Sequence, residues 1–329
     1  MRVIDYMKGK FRMAVIMTAI FACGASFSQQ TDPAYGLMVK MINASQQLNY
    51  EGLVTYEKMG NLKSAKVLHL VRDAEIFEQI VSLNGPEGEF SNFSGTKECH
   101  KTAAFLGETS GLNINDSTYV QLKRSYSIET AGTQRIAGRE ATLLMLRPND
   151  AWRYGYIVAI DKQSGLMLQS VLVSLTGKPM ERFQFIEISV GGDLDSMEVP
   201  SGSINLEADE RADCKKNNSL LQQDIPEWQA DWMPTGFVMT DSRLDEASGQ
   251  YSMVFTDGLA VLSVFVESSE ASIKMPSFAA TSGATVALVS KVLLEGSFFT
   301  VSVVGEIPSD TARRIIESVT RASDMAKNS

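Results

Sequence analysis

The stretch that decides the fold is WRYGYIVAIDKQSGLMLQSVLVSLTGKPMERFQFIEISV, residues 152–190. Trp152, Tyr154, Tyr156, Val158 and Ile160 recur at every second position, the spacing that places them on one face of a β-strand. Residues 161–165 read as a turn, 166–175 as a second strand, Thr176-Gly177-Lys178-Pro179 as a second turn, and 180–190 as a third strand. Strands joined by such short links run antiparallel, so this segment is a meander.

Working outward, residues 53–56, 62–71, 76–83, 118–126 and 136–146 read as further strands. Several are apolar on both faces: Leu68 and Leu70 on one against Val67 and Val71 on the other, and Leu166, Leu168 and Leu172 against Met167, Val171 and Val173. A sheet wet on one side alternates cleanly, so this one needs a second cover, either a helix it wraps round or an apolar cavity. A helix is expected from Asp32 as cap and Pro33 as first helical residue, with Leu37, Met41, Ala44 and Leu48 at helical spacing and a face rich in deformable Met (Met38, Met41).

Residues 201–224 are polar, lack strand periodicity and read as a linker. Beyond it, 236–239, 250–255, 259–267, 285–294 and 298–303 read as strands, with Asp257-Gly258 and Glu295-Gly296 as turn signals. A last helix is expected near Ser309 and Asp310, after Pro308, burying Ile315, Ile316 and Val319. The fold class is therefore α+β, mostly antiparallel β, a large domain followed by a smaller one.

Composition agrees with two folded domains. The 329 residues are 44% hydrophobic and 21% charged with mean hydropathy −0.05, which excludes a disordered polar tail and a polytopic membrane protein. Cores above roughly 250 residues tend to split. Residues 1–28 read as a secretory signal: Arg2, Lys8, Lys10 and Arg12, an apolar run over 13–22 too short to span a bilayer, then small residues before Gln29. Cleavage after Ser28 would yield a soluble exported protein; lipidation at Cys23 is the competing reading. Without that segment 26 Lys and Arg face 38 Asp and Glu, a net charge of −12, which argues against nucleic acid as a partner.

Two His and three Cys cannot assemble a zinc, haem or iron–sulfur signature, so no metal or cofactor is expected. Cys99 and Cys214 would form one bridge or stay two thiols; the sequence does not choose, nor does it give the oligomeric state. The chain has no GxGxxG, Walker, HExxH or GxSxG motif. Ser94-Gly95-Thr96-Lys97 lacks the companions of an SxxK site, and Cys99 and His100, adjacent in an extended chain, point apart. His69 reads as a satisfied core histidine, and no catalytic carboxylate pair is identifiable, so an enzyme is not expected. Residues 123–153 depart from the acidic background, with Lys123, Arg124, Arg135, Arg139, Arg147 and Arg153 against three acidic residues. Guanidinium groups match phosphate and carboxylate geometry, which makes Arg135, Arg139 and Arg153 candidates for an anionic headgroup at the rim of an apolar cavity.

An ordered set of short pieces resembles the RseB/MucB family, periplasmic negative regulators of the sigma-E envelope stress response. The pieces are Asn49-Tyr50-Glu51-Gly52 with Tyr56 and His69; Arg135 to Arg139; Leu146 to Asp150 with Arg153-Tyr154-Gly155-Tyr156; Asp161, Ser164-Gly165-Leu166, Leu168 and Ser170. They continue with Glu181, Phe183 and Phe185, then Pro234 with Gly236-Phe237, then Asp257-Gly258-Leu259-Ala260 with Ser263-Val264-Phe265. The resemblance implies an unclosed β-barrel around helices, shaped like the carriers LolA and LolB, as a lipid-sensing domain over 29–200, and a smaller partner-binding domain over 225–329. It also implies a partner, the periplasmic segment of an RseA-like anti-sigma factor, shielded from a DegS-like protease and released by lipopolysaccharide or another lipid. Asp257, Gly258, Leu259 and Phe265 are then candidates for a partner-facing or interdomain strand. A lipoprotein or lipid carrier is the alternative; it would use the same cavity but need no second domain.

Overall fold

The computed structural model describes residues 32–73, 75–84, 116–200, 204–205, 227–269, 278–294 and 296–322. The export signal, Cys23, the 94–97 motif, Cys99, His100, Cys214 and most of the expected linker lie outside the described residues.

Helix α1 spans Pro33–Gln47. The Asp32 carboxylate accepts from the Ala34 amide at 3.1 Å, and Pro33 occupies the first turn, where a missing N–H leaves no hydrogen bond unmade. The helix buries Ala34, Met38, Met41, Ile42 and Ala44, while Leu48 has become its C-cap. It lies against an antiparallel sheet of nine strands: β1 (Tyr50–Lys58), β2 (Asn61–Arg72), β3 (Glu75–Ser82), β4 (Tyr126–Ile136), β5 (Arg139–Pro148), β6 (Gly155–Asp161), β7 (Met167–Val173), β8 (Pro179–Val190) and β9 (Ile204–Asn205). Their order is β4-β5-β6-β7-β8-β1-β2-β3-β9, so the sheet ends on two different edges and is not closed. The expected meander is β6, β7 and β8, but β6 begins only at Gly155: Trp152 and Tyr154, expected on its alternating face, lie in the loop that follows β5.

The double-faced strands are explained by two covers. On the inner face Ala65, Val67, Phe183 and Phe185 pack with Ala44 of α1. On the outer face Leu68 and Leu70 pack with Leu194 of a 3-10 helix over Gly192–Ser196. Of the two expected covers, a wrapped helix or an apolar cavity, the described residues show the helix: the hollow among them lined by Met41, Tyr50, Leu166, Phe183 and Phe185 measures only about 20 Å³, room for about one water.

Two further readings of the large lobe are corrected. Residues 118–126 are not a strand. Helix α2 runs over Asp116–Ser125 and β4 begins at Tyr126. Tyr119, Leu122 and Tyr126 are buried at near-helical spacing, and packing under the sheet overrides the β-propensity of Thr118, Tyr119 and Val120. The 136–146 run is broken because Ala137 (φ 49°) and Gly138 (φ 75°) form a tight turn from β4 into β5.

The smaller lobe has strands β10 (Trp228–Ala230), β11 (Val238–Asp245), β12 (Gln250–Thr256), β13 (Val261–Ser268), β14 (Phe278–Ser282), β15 (Thr285–Leu294), β16 (Ser297–Gly305) and β17 (Val319–Arg321), with helix α3 over Ser309–Glu317. Six strands form a sheet in the order β11-β12-β13-β16-β15-β14, and β10 pairs with β17 as a separate ribbon. Ala312, Ile315 and Ile316 of α3 pack into one core with Val264, Val301 and Val303. Val319 belongs to β17 rather than to the helix, paired with Ala230. Within the expected linker, β9 pairs with Phe77 and Glu78 of β3.

Candidate interlobe site

Polar and charged side chains meet where the two sheets touch, in two clusters. The first is built on Arg153, which follows β5 by a loop and is fully buried. Its Nη1 meets Asp257 Oδ2 at 2.5 Å, Nη2 meets Asp150 Oδ2 at 2.9 Å and the Thr235 carbonyl at 2.6 Å, and Nε donates to Asp150 Oδ1 at 3.2 Å. Burial alone would lower the guanidinium's affinity for its proton; the bonds to Asp150 and the charge of Asp257 outweigh that and hold it above its ordinary value. Tyr126 and Phe237 flank the guanidinium at 5.6 and 5.1 Å.

Asp257 is equally engaged. Its Oδ1 accepts from the amides of Leu259 and Ala260, closing the turn from β12 to β13, while Oδ2 accepts from Tyr126 at 3.0 Å as well as from Arg153. The next residue, Gly258, has φ 96°, and a Cβ there would stand 3.2 Å from Leu122 of α2. Leu259 packs on the core formed by α1, α2 and the large sheet. Phe265 is half-buried on β13, opposite Ser252 and Ser302, on the face turned away from Leu262, Val264 and α3.

The second cluster joins β1 and β8 to the β14–β15 turn. Glu181 is 4% exposed. Its Oε1 takes Lys58 Nζ at 3.0 Å and the Ala284 amide at 2.9 Å, and its Oε2 takes the Tyr56 hydroxyl at 2.5 Å. Lys58 also reaches Thr285 Oγ1 at 3.2 Å. Glu306, half-buried after β16, is pushed up to about 7 by burial and by the nearby Glu181 charge, against the opposing pull of Lys58. Nearby, Thr311 of α3 donates to the Trp152 carbonyl at 2.9 Å, and Arg314 stacks over Trp232 and Trp152. Beside them an open groove of about 510 Å³ runs between Trp152 and Leu175 on one lobe and Pro308, Arg313 and Arg314 on the other.

The pattern of matches spans both lobes. The family description "MucB/RseB N-terminal domain" fits residues 33–203 and "MucB/RseB C-terminal domain" fits 222–320. The chain belongs to the MucB/RseB family. The sigma factor AlgU regulatory protein MucB of Pseudomonas aeruginosa is 27% identical over 288 residues, covering 85% of this chain and 88% of that protein. The sigma-E factor regulatory protein RseB of Escherichia coli K12 is 26% identical over 329 aligned positions, covering 94% and 96%. Among solved structures, MucB in complex with MucA(peri) superimposes with a TM-score of 0.67 over 88% of this chain and 99% of that one, at 23% identity, which establishes a shared fold. The family is one of regulatory proteins, not enzymes.

On this MucB/RseB scaffold the three candidate arginines do not converge. Arg135 is exposed on β4 opposite Glu140. Arg139 opens β5, and its Nη2 donates to Asp161 Oδ2 at 2.8 Å and to Gln163 at 3.3 Å. Arg153 lies beyond the other end of β5, about 30 Å of strand away. Its donors are committed to Asp150, Asp257 and Thr235, so it is a joint residue rather than a rim residue. His69 is in the core as expected, 1% exposed, stacked on Tyr50 and bonded through Nδ1 to Glu78 at 2.8 Å. Its Nε2 has no partner among the described residues, so it is satisfied on one side only. Sequence reasoning assigned no site role to Glu181 or Glu306. The signal for Glu181 was present: a carboxylate on the same strand face as Phe183 and Phe185.

Proposed function

We propose that this protein is a periplasmic regulator that covers the periplasmic segment of an RseA-like anti-sigma factor, shields it from a DegS-like protease and lets it go when lipid binds. The observation that carries the reading is membership of the MucB/RseB family across both lobes, with relatives named as sigma-factor regulators and a MucB structure solved with MucA(peri). No helix of the described residues is long and apolar enough to cross a membrane.

The lipid step needs an opening. A hollow of about 20 Å³ does not hold an acyl tail, so lipid enters by displacing α1 from the unclosed sheet. Met38 and Met41 make the face of α1 adaptable. Each buried methylene contributes ~0.8 kcal/mol, so about seven supply the ~5.5 kcal/mol that inverts a two-state population. Arg135 and Arg139, flanking the β4–β5 turn, are the arginines left to meet an anionic headgroup, Arg139 by exchanging Asp161 for it.

The test is a protection assay with the purified mature protein, an anti-sigma periplasmic segment and a site-1 protease, with and without lipopolysaccharide. Protection that lipopolysaccharide abolishes supports the reading. Cleavage at the same rate with and without the protein overturns it, and recovery of many lipoproteins from envelope extract would favour a carrier.

A further inference from the structure

We propose that the Glu181–Glu306–Lys58 cluster is a proton-operated joint between the two lobes, closed while Glu306 keeps its proton and loosened when that proton leaves. The geometry rests on three elements of the large lobe and two of the small. Tyr56 and Lys58 project from β1, Glu181 from β8 and Tyr156 from β6. From the other side come Ala284 of the β14–β15 turn, Thr285 at the start of β15 and the half-buried Glu306, which the antiparallel pairing of Gly305 with Val286 sets beside Thr285.

Glu181 spends its acceptors on Lys58, Ala284 and Tyr56, and Lys58 divides its donors between Glu181 and Thr285. The ammonium that offsets Glu306 is therefore already bonded to the first carboxylate. An ionised Glu306 adds a second negative charge to a cluster that has compensated only one. Tyr56 and Tyr156, both held well above the ordinary phenol value by burial first and by these carboxylates, stay neutral and add no positive charge. Separation of the lobes returns Glu306 to water, and that relief favours the open form.

The direction follows from linkage. The closed form holds a carboxyl at about 7, where the ordinary value is 4.5. Below about 4.5 both forms are protonated and the ratio does not respond to pH. Between there and about 7 the open form releases a proton the closed form keeps, so rising pH drives opening; above about 7 the response levels off. With partial solvent screening, the open-to-closed ratio is expected to rise roughly tenfold between pH 5.5 and 8.

The Ala284 amide reports closure, because it donates to Glu181 across the joint; the Ser269 amide, which donates to the Phe298 carbonyl at 2.9 Å at the far end of the β13–β16 ladder, is the control. In the mature protein, the Ala284 protection factor, corrected for intrinsic exchange, should fall roughly tenfold from pH 5.5 to 8 while that of Ser269 holds. Glu306→Gln should keep Ala284 protected at pH 8. A flat Ala284 profile in the unaltered protein, or a Glu306→Gln profile that falls equally, overturns the proposal. Should the variant not fold, carboxyl ¹³C titration of the unaltered protein decides: a glutamate with a midpoint near 7 supports the joint, and none above 6 ends it. Neither readout involves an anti-sigma segment or lipid, so the joint and the regulatory reading fail separately.

Discussion

Arg153 and Asp257, 104 residues apart in the chain, form an ion pair with neither side chain exposed, and this pair fastens the large sheet to the β12–β13 turn of the small lobe. Two charges removed from water attract strongly, but their desolvation consumes most of the gain. The pair therefore specifies one relative placement of the lobes more than it adds net stability. Loss of one partner is a different matter, because the survivor is stranded.

Asp257→Ala should accordingly cost about 3–5 kcal/mol in denaturant unfolding, since it leaves Arg153 buried with Asp150 as its remaining carboxylate and removes the acceptor of Tyr126. The double variant Arg153→Met with Asp257→Leu should recover most of that loss. Single variants that each cost less than about 1 kcal/mol would show that the pair is solvated in solution.

Gly236 tests the same contact sterically. It has φ 93°, and a Cβ would collide with the Ser125 hydroxyl of the large lobe. Gly236→Ala should destabilise by more than about 1 kcal/mol. Adding Ser125→Ala relieves the collision but not the backbone strain, so the double variant should sit between the two in thermal unfolding. Equal stability of all three would contradict this contact.

Asp161 carries a pH signature. Burial would raise its carboxyl, but hydrogen bonds from Arg139 and Ser164 outweigh this and hold it below 3.8. A depressed carboxyl contributes stability that is present above the unfolded value and fades as pH falls through the folded one. The stability gap between the unaltered protein and Asp161→Asn should thus narrow from pH 5 toward pH 3. A gap independent of pH would mean that Arg139 does not hold this carboxylate. The same pair predicts that Asp161→Asn frees Arg139 and tightens binding to anionic vesicles.

Asp32 holds three groups at once: the Ala34 amide of α1, and the Tyr119 hydroxyl and Lys123 ammonium of α2. Burial opposes its ionisation, and these bonds prevail, keeping the carboxyl low. Asp32→Ala should cost about 1 kcal/mol through the lost cap and speed amide exchange across residues 33–47. Under the lipid-entry reading it should also lower the lipid concentration needed to displace α1; an unchanged threshold would separate the helix from lipid entry.

The sequence by itself determined the meander, which the structure runs from Gly155 to Val190, the capped start of α1 and the helix after Pro308, because each depends on residues within a turn or a strand pair of one another. Period-two alternation, an Asp before a Pro, and a turn at Asp161 that Ser164 closes are written in neighbours. Tertiary structure alone decided that 118–126 coils, since burying Tyr119 and Leu122 under the sheet outweighs the propensities of their neighbours. It also decided what the arginines do. A run of basic residues along the chain looks like one patch, yet Coulomb attraction acts over a few ångströms of space and not of sequence. Arg139 thus belongs to Asp161, Arg153 belongs to a carboxylate supplied by the other lobe, and Glu306 meets Glu181 only because two sheets close on them.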